Sequence, residues 1–340
     1  MSKSKIEWTD ATWNPITGCT KLSEGCRNCY AERMSKRLAG RCGYPKDKPF
    51  SVTLHPEKLE DPLKWKKPRK IFVNSMSDLF HDDVPDGILC QVFNIMALTQ
   101  QHTYLILTKR PERMKKFLAE EAFLTCINCK GSGCDQCDNT GYQSWVNRPY
   151  PNVWLGVSVE NQAAADERIP LLLQAPVAVR FISAEPLLGP VNLTNLDQGW
   201  QTNALTGKQS DMGRPWYDTG NLDWVIVGGE SGPGARPMHP DWVRSLRDQC
   251  QAAGTKFFFK QFGEWIVPED GAESCRVCGC TWNNACNGGC SWVEPGLCST
   301  CIGKQVPDYR AVKFQRVGKM KAGRELDGRT WDEMPEVMSK

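Results

Sequence analysis

Seven short apolar runs limit what this chain can fold into. They lie at residues 12–17, 71–74, 104–107, 153–157, 179–182, 224–227 and 256–259, and stretches with helical spacing separate them, at 84–100, from Pro111 onward, at 163–174 and at 241–253. Uninterrupted apolar strands alternating with helices are covered on both faces, which is the pattern of a parallel sheet between helices. The last six runs are each followed at once by polar groups: Ser75, Ser77 and Asp78; Thr108, Lys109 and Arg110; Ser158, Glu160 and Asn161; Ser183 and Glu185; Gly228, Gly229 and Glu230; Lys260, Gln261 and Glu264. Polar groups gathered after the C-terminal ends of parallel strands mark that edge as the working edge. Periodicity therefore gives the α/β class.

The first run leads into GCTKLSEGCRNCY, residues 18–30, which places Cys19, Cys26 and Cys29 in a C-x6-C-x2-C spacing. A helix-like stretch follows, with Ala31, Met34 and Leu38 on one face. Three thiolates on a strand-to-helix loop can hold three irons of a four-iron cluster and leave the fourth without a protein ligand, open to a small molecule. Spacing alone leaves the metal undecided. A zinc knuckle short of one ligand, or a purely structural trio, uses the same residues.

TWNPITGCTKLSEGCRNCYAERM resembles the signature of a phage and prophage family known for its three-cysteine motif. That family is similar in turn to radical S-adenosylmethionine (SAM) enzymes, with spore photoproduct lyase a near relative. VNSMSDLFHDDVP, LTKRPERM, WLGVSVEN, FISAEPLL, VIVGGESGPGARP, FFFKQFGEW and GRELDGRTWDEMP resemble further family blocks in family order, from Ile6 to Pro335. The resemblance implies a partial (β/α)6 TIM-like barrel of radical SAM type. It also implies a [4Fe-4S] cluster on Cys19, Cys26 and Cys29, with S-adenosylmethionine bound at its open iron. The cofactor-binding candidates are Ser75, Ser77, Asp78, Lys109, Ser158, Glu160, Glu185, Gly228, Gly229 and Glu230. One departure stands out: radical SAM enzymes usually space the cysteines C-x3-C-x2-C with an aromatic just before the third. Here the first gap is six residues, Asn28 precedes Cys29 and Tyr30 follows it. The Gly-Gly-Glu at 228–230 also follows the sixth run, whereas the superfamily's own such motif follows the second strand, so its role is not carried over. Those glycines either admit adenosine or make a plain turn.

Two segments break the strand–helix rhythm. Residues 124–142 carry Cys126, Cys129, Cys134 and Cys137 as two C-x2-C pairs separated by Gly-Ser-Gly, a tetrahedral zinc pattern that resembles half of the zinc domain of DnaJ-type chaperones. Residues 272–303 hold seven cysteines, whose outer pairs Cys275/Cys278 and Cys298/Cys301 make a second zinc ribbon and leave Cys280, Cys286 and Cys290 unassigned. The expected organisation is thus a barrel at 1–123 and 143–271, zinc insertions at 124–142 and 272–303, and a basic tail at 304–340. Cys42, Cys90 and Cys250 read as small hydrophobic fillers.

Seventeen cysteines, no apolar leader and no membrane-length apolar run suit metal ligands in a reducing cytoplasm, the host cell's if the chain is phage-encoded. No helical pair of histidines, P-loop or G-x-S-x-G elbow appears, which argues against those metalloprotease, nucleotidase and hydrolase classes. Residues 1–70 hold sixteen Lys/Arg against eight Asp/Glu, densest in KWKKPRK at 64–70, and a second basic piece spans 304–329. With Trp65, Tyr309 and Phe314 interleaved, these patches suit a phosphate backbone, although a solvated face explains them as well. The function expected is a radical SAM enzyme acting on a nucleic acid or nucleotide, with an external electron donor and a partner protein as expected partners. The other class that fits is a non-catalytic, metal-stapled nucleic-acid-binding protein.

Overall fold

The computed structural model describes residues 4, 6–120, 123–126, 129, 131–135, 139–144, 150–197, 201–210, 217–218, 220–267, 292–294, 297–299 and 314–336. A parallel sheet of seven strands forms its centre: β1 (Ala11–Trp13), β2 (Lys70–Val73), β3 (Thr103–Thr108), β4 (Val153–Ser158), β5 (Val179–Ala184), β6 (Trp224–Gly228) and β7 (Lys256–Gln261). The strands neighbour one another in chain order, and every adjacent pair is parallel. Helices α1 (Tyr30–Leu38), α2 (Asp86–Leu98), α3 (Pro111–Glu120), α4 (Gln162–Gln174) and α5 (Pro240–Ala253) lie in the connections. Neighbours in chain order mean single winding, as in a barrel, with no switch point of the doubly wound kind.

The sheet curls into a half-barrel. Trp8 lies 4.8 Å from Phe72 of β2 and 6.1 Å from Trp224 of β6, ring centre to ring centre. In a flat sheet those strands, four places apart, would be separated by about 19 Å. Alternation along each strand supplies both faces. Leu105, Trp154, Phe181, Trp224, Ile226 and Phe258 point inward with Trp8, while Tyr104, Ile106, Leu155, Val157, Ile182, Val225 and Phe257 pack outward in the larger core. The chain ends complete the structure on the open side. The Phe259 amide donates to the Trp331 carbonyl (2.9 Å), the Trp224 indole donates to the Glu333 carbonyl (2.8 Å), and Lys319 pairs with Glu7 (3.1 Å). The C-terminal segment thereby covers the edge of β7.

The structure differs from the sequence reading at several places. The run at 12–17 divides at Asn14-Pro15, since proline has no amide to continue the ladder. Ala11–Trp13 joins the main sheet, and Ile16–Thr17 pairs with Thr53–Leu54 instead. Trp65 is a core residue, not an exposed aromatic among lysines, and Cys42 is exposed rather than a filler. Within the expected barrel segment, Leu196–Asp197, Gln201–Asn203, Lys208–Ser210 and Tyr217–Asp218 form a separate antiparallel sheet between β5 and β6. The 124–142 segment hangs from an antiparallel hairpin, Phe123–Thr125 with Tyr142–Ser144. Cys137, Cys275, Cys278, Cys280, Cys286, Cys290, Cys301 and Tyr309 lie outside the described residues, and Cys298 sits on the strand Leu297–Cys298. Among the described residues no helix is long and apolar enough to cross a membrane.

Trp8 is 3% exposed and touches rings from three strands of the half-barrel. Trp8→Ala is expected to cost about 3–5 kcal/mol, and Trp8→Phe clearly less. Urea denaturation followed by far-ultraviolet dichroism measures both; equal midpoints for wild type and Trp8→Ala would show that the inner cluster stands without it.

Candidate functional site

The three-cysteine loop spans the C-terminal edge of the half-barrel. Gly18 opens it at φ +85°, where a Cβ would stand 2.0 Å from the Ser51 carbonyl oxygen, so only glycine serves. The Gly18 amide donates to Met76 and the Cys19 amide to Phe50, which fixes where Cys19 leaves the sheet. Cys26 ends the short helical turn Glu24–Cys26, and Cys29 is the residue from which α1 starts. All three thiols are free and partly exposed. Their sulfurs do not all lie within 4.8 Å of one another, unlike those of Cys126, Cys129 and Cys134.

Three carboxylates from strand ends hold this loop, each with its own arginine. Asp78, after β2, pairs with Arg110 (3.2 Å), and the same guanidinium reaches the Cys19 sulfur (3.5 Å) and the Thr20 hydroxyl (2.9 Å). Thr108 Oγ1 and the Lys109 amide also donate to Asp78. Glu160, after β4, accepts from Arg168 (2.8 Å) and from the Ser23 hydroxyl of the loop. Glu230, after β6, takes Arg236 in a two-pronged pair and accepts from Asn28 of the loop (3.0 Å), while Arg236 also donates to the Glu24 carbonyl (3.0 Å). Bidentate and charge-assisted bonds of this kind are the strong ones, and all three carboxylates are buried.

The environment separates the thiols. Burial and the Asp78 charge push the Cys19 thiol up, against the pull of Arg110. For Cys26, burial also acts upward, but donors at Leu22 and Ser23 and the Lys109 charge outweigh it and hold the thiol below its usual range. Burial would likewise raise Glu160 and Glu230, yet Lys109 and Arg168 lower the first, and Arg236 and Asn28 lower the second.

Beneath the loop lies a cavity of about 290 Å³. Its apolar side is Ile6, Trp8, Phe72 and Leu107; its rim is Gly25, Asn28, Cys29, Tyr30 and Arg33; its polar wall is Lys109, Ser158, Ser183, Glu185 and Lys260. The wall follows from strand parity. Stepping by two from inward apolar residues leads from Leu107 to Lys109, from Phe181 to Ser183 and Glu185, and from Phe258 to Lys260. Lys260 pairs with Glu185 (3.0 Å), which also accepts from Ser183 (3.3 Å). Burial would lower the Lys260 ammonium, but Glu185 and Glu7 hold it above its usual range. The Lys109 ammonium forms no hydrogen bond or ion pair among the described residues, and it also borders a smaller cavity of about 260 Å³ beside Leu22, Ser23 and Glu160.

Of the expected cofactor-binding residues, Lys109, Ser158, Glu185, Gly229 and Glu230 line the main cavity. Ser75 and Ser77 instead donate to Asn14 (3.2 Å) and to the Ile16 carbonyl (3.3 Å). Asp78 and Glu160 are engaged with their arginines and the loop. Gly228 and Gly229 leave room for protein atoms, since Cβ atoms there would lie 2.4 Å from Glu185 and 2.1 Å from the Phe262 carbonyl. Trp8, Lys260, Arg168 and Arg236 were not among the expected site residues; only Lys260 carried a signal, its parity with Phe258. In the basic tail, Arg316 and Lys319 pair with Glu264 (3.5 Å) and Glu7 (3.1 Å), which partly offsets two of its charges.

A second cysteine group stands on the 123–144 hairpin. Cys126, Cys129 and Cys134 form a group whose sulfurs can bind a metal. The Cys126 and Cys134 sulfurs are 3.9 Å apart, and the Gly133 amide donates to the Cys129 sulfur (3.2 Å).

Comparison with known proteins places the chain in a family. It belongs to the family described as Protein of unknown function (DUF5131), whose profile matches residues 3–335. No curated protein and no solved structure matches it.

The depressed carboxyls of Glu160 and Glu230 have a consequence in acid. Their folded values lie below the unfolded value of about 4.3, so their contribution is fully present above that pH and is lost as pH falls through the folded values. Urea midpoints measured from pH 6 down to 3 should drop, and Glu230→Gln should flatten the acid limb while costing on the order of 3 kcal/mol at neutral pH. Hydrogen exchange of residues 23–30 should quicken in that variant; unchanged protection there would show that the loop does not depend on the pair.

Proposed function

We propose that this member of the family is a radical SAM enzyme, with Cys19, Cys26 and Cys29 holding a [4Fe-4S] cluster at the mouth of a partial barrel and the cavity below taking S-adenosylmethionine and substrate. One observation carries the reading: one loop with three free thiols, of which Cys29 lines the cavity, lies at the C-terminal edge of a singly wound parallel half-barrel. The residues fit the group. The Lys109 charge and nearby donors favour a thiolate at Cys26, and Arg110 at the Cys19 sulfur partly offsets the burial and the Asp78 charge that hold that thiol up.

When bound, such a cluster supplies the electron, drawn from an external donor, for reductive cleavage of S-adenosylmethionine. The chain's own residues do the rest. Asp78 holds the thiol-bearing loop through Arg110, Glu160 by accepting from Ser23, and Glu230 by accepting from Asn28 and orienting Arg236 onto the Glu24 carbonyl. Lys109 offers an unpaired ammonium to a carboxylate, Ser158 and the Glu185–Lys260 pair offer contacts to an ammonium or ribose hydroxyls, and Trp8, Phe72 and Leu107 keep water from the reacting end. Cys126, Cys129 and Cys134 hold a structural zinc, for which 3.9 Å between two sulfurs is the tetrahedral edge. The sequence supplies Cys137 as the fourth ligand.

Protein purified without oxygen should be brown, with broad visible absorption and bound sulfide. Cys19→Ala, Cys26→Ala and Cys29→Ala should each lose the iron and keep the zinc, and Cys134→Ser should do the reverse. A triple variant of the first three with full iron and sulfide overturns the assignment; a colourless wild-type protein holding zinc alone supports a non-catalytic, metal-stapled binding protein.

A further inference from the structure

We infer that the face of α1 and the turn after it form a track for single-stranded nucleic acid, leading a nucleotide past Tyr30 into the cavity. The inference rests on the cavity being the reaction site and names the class of its substrate. Tyr30, Arg33 and Arg37 stand at i, i+3 and i+7, so they share one face of α1. Tyr30 and Arg33 belong to the cavity rim, and Arg37 lies about 10 Å farther along the helix. Arg41, Lys46 and Lys48 continue the positive run in the loop that follows.

The charges on this track are available. Arg37, Arg41, Lys46 and Lys48 are exposed and make no ion pair among the described residues. The acid on α1, Glu32, is already shared by Lys21 and Lys36 (2.8 Å each), and Asp47 is the sole acid of the 39–50 loop. The other basic pieces differ: Arg316 and Lys319 are paired, Trp65 is buried, and the exposed Lys66 and Lys67 precede the N-terminal end of β2, away from the cavity. Tyr30 adds the second requirement. It is 60% exposed at the rim, a ring free to stack on a base, and the apolar side of the cavity beyond it can receive a flat ring. A single strand is favoured over a duplex because a paired base cannot reach below the rim into the cavity without leaving its stack.

The test is fluorescence anisotropy with a labelled oligothymidylate of about 15 nucleotides, an RNA of the same length and the matching duplex. Wild type should bind the single strands more tightly than the duplex, with affinity falling steeply as salt rises. Arg37→Glu with Arg41→Glu should weaken binding about tenfold or more, and Arg37→Ala with Arg41→Ala should lower the salt slope by about 1.4, at roughly 0.7 per lost phosphate contact. Lys66→Glu with Lys67→Glu, exposed charges before the N-terminal end of β2, should change little. Tyr30→Ala should weaken binding without altering the salt slope. Equal losses from both charge-reversed pairs, a preference for the duplex, equal binding of polyglutamate, or no binding at low salt would each overturn the track. Dichroism and iron content measured on every variant keep these outcomes separate from failure of the cluster assignment, because the binding assay needs neither iron nor S-adenosylmethionine.

Discussion

The architecture depends on three buried ion pairs at the ends of alternate strands: Asp78 with Arg110, Glu160 with Arg168 and Glu230 with Arg236. A loop that carries three thiols over the mouth of a half-barrel has little apolar surface of its own to bury. It must be held by polar contacts, and polar contacts position a chain well only where water is excluded and geometry is fixed. Each pair meets that condition and presents a bond to the loop. Desolvating such pairs costs nearly as much as their attraction returns, so their main effect is to specify position more than to add stability.

The inner face of the half-barrel is graded. At its lower end Trp8 and Trp154 pack edge to face with Trp224, and Phe181 packs tilted against it. Toward the C-terminal ends the same alternate positions become lysine, serine and glutamate, and the cavity lies at that boundary. One period-two pattern thus builds both the apolar plug and the polar wall of the cavity. Lys109 stands where the wall meets two cavities, and its charge acts on Cys26 and Glu160 together.

Much of this was legible from residue order. Strands buried on both faces must be uninterrupted apolar runs, so all seven could be found, and their direction indicated which edge would collect polar groups. The three cysteines stood out because their spacing sits just after the first strand. What could not be read is which polar residues face a ligand and which are taken up by the protein. Asp78, Glu160 and Glu230 follow strands just as Glu185 does, and only the path of the 18–30 loop separates their roles. The sheet between β5 and β6 was invisible because strands of two or three residues carry no period. Trp8 lies in a segment with no regular element, and its place depends on partners 64, 173 and 216 positions away.

Those long separations bear on how the chain is made. Synthesis delivers Trp8 first, Phe72 next, then Phe181 and Trp224, and the strap at 331–333 that covers β7 last. Until then the ring of Trp8 has only part of its niche, and the cavity has only part of its wall. Contacts between such distant positions form slowly, because loop closure must precede any gain from packing. A nascent chain would therefore present its cysteine loop before the mouth beneath it exists. Under the proposed function, metal loading during translation would meet a loop not yet held by Glu160 or Glu230, and loading after release would meet it held in register.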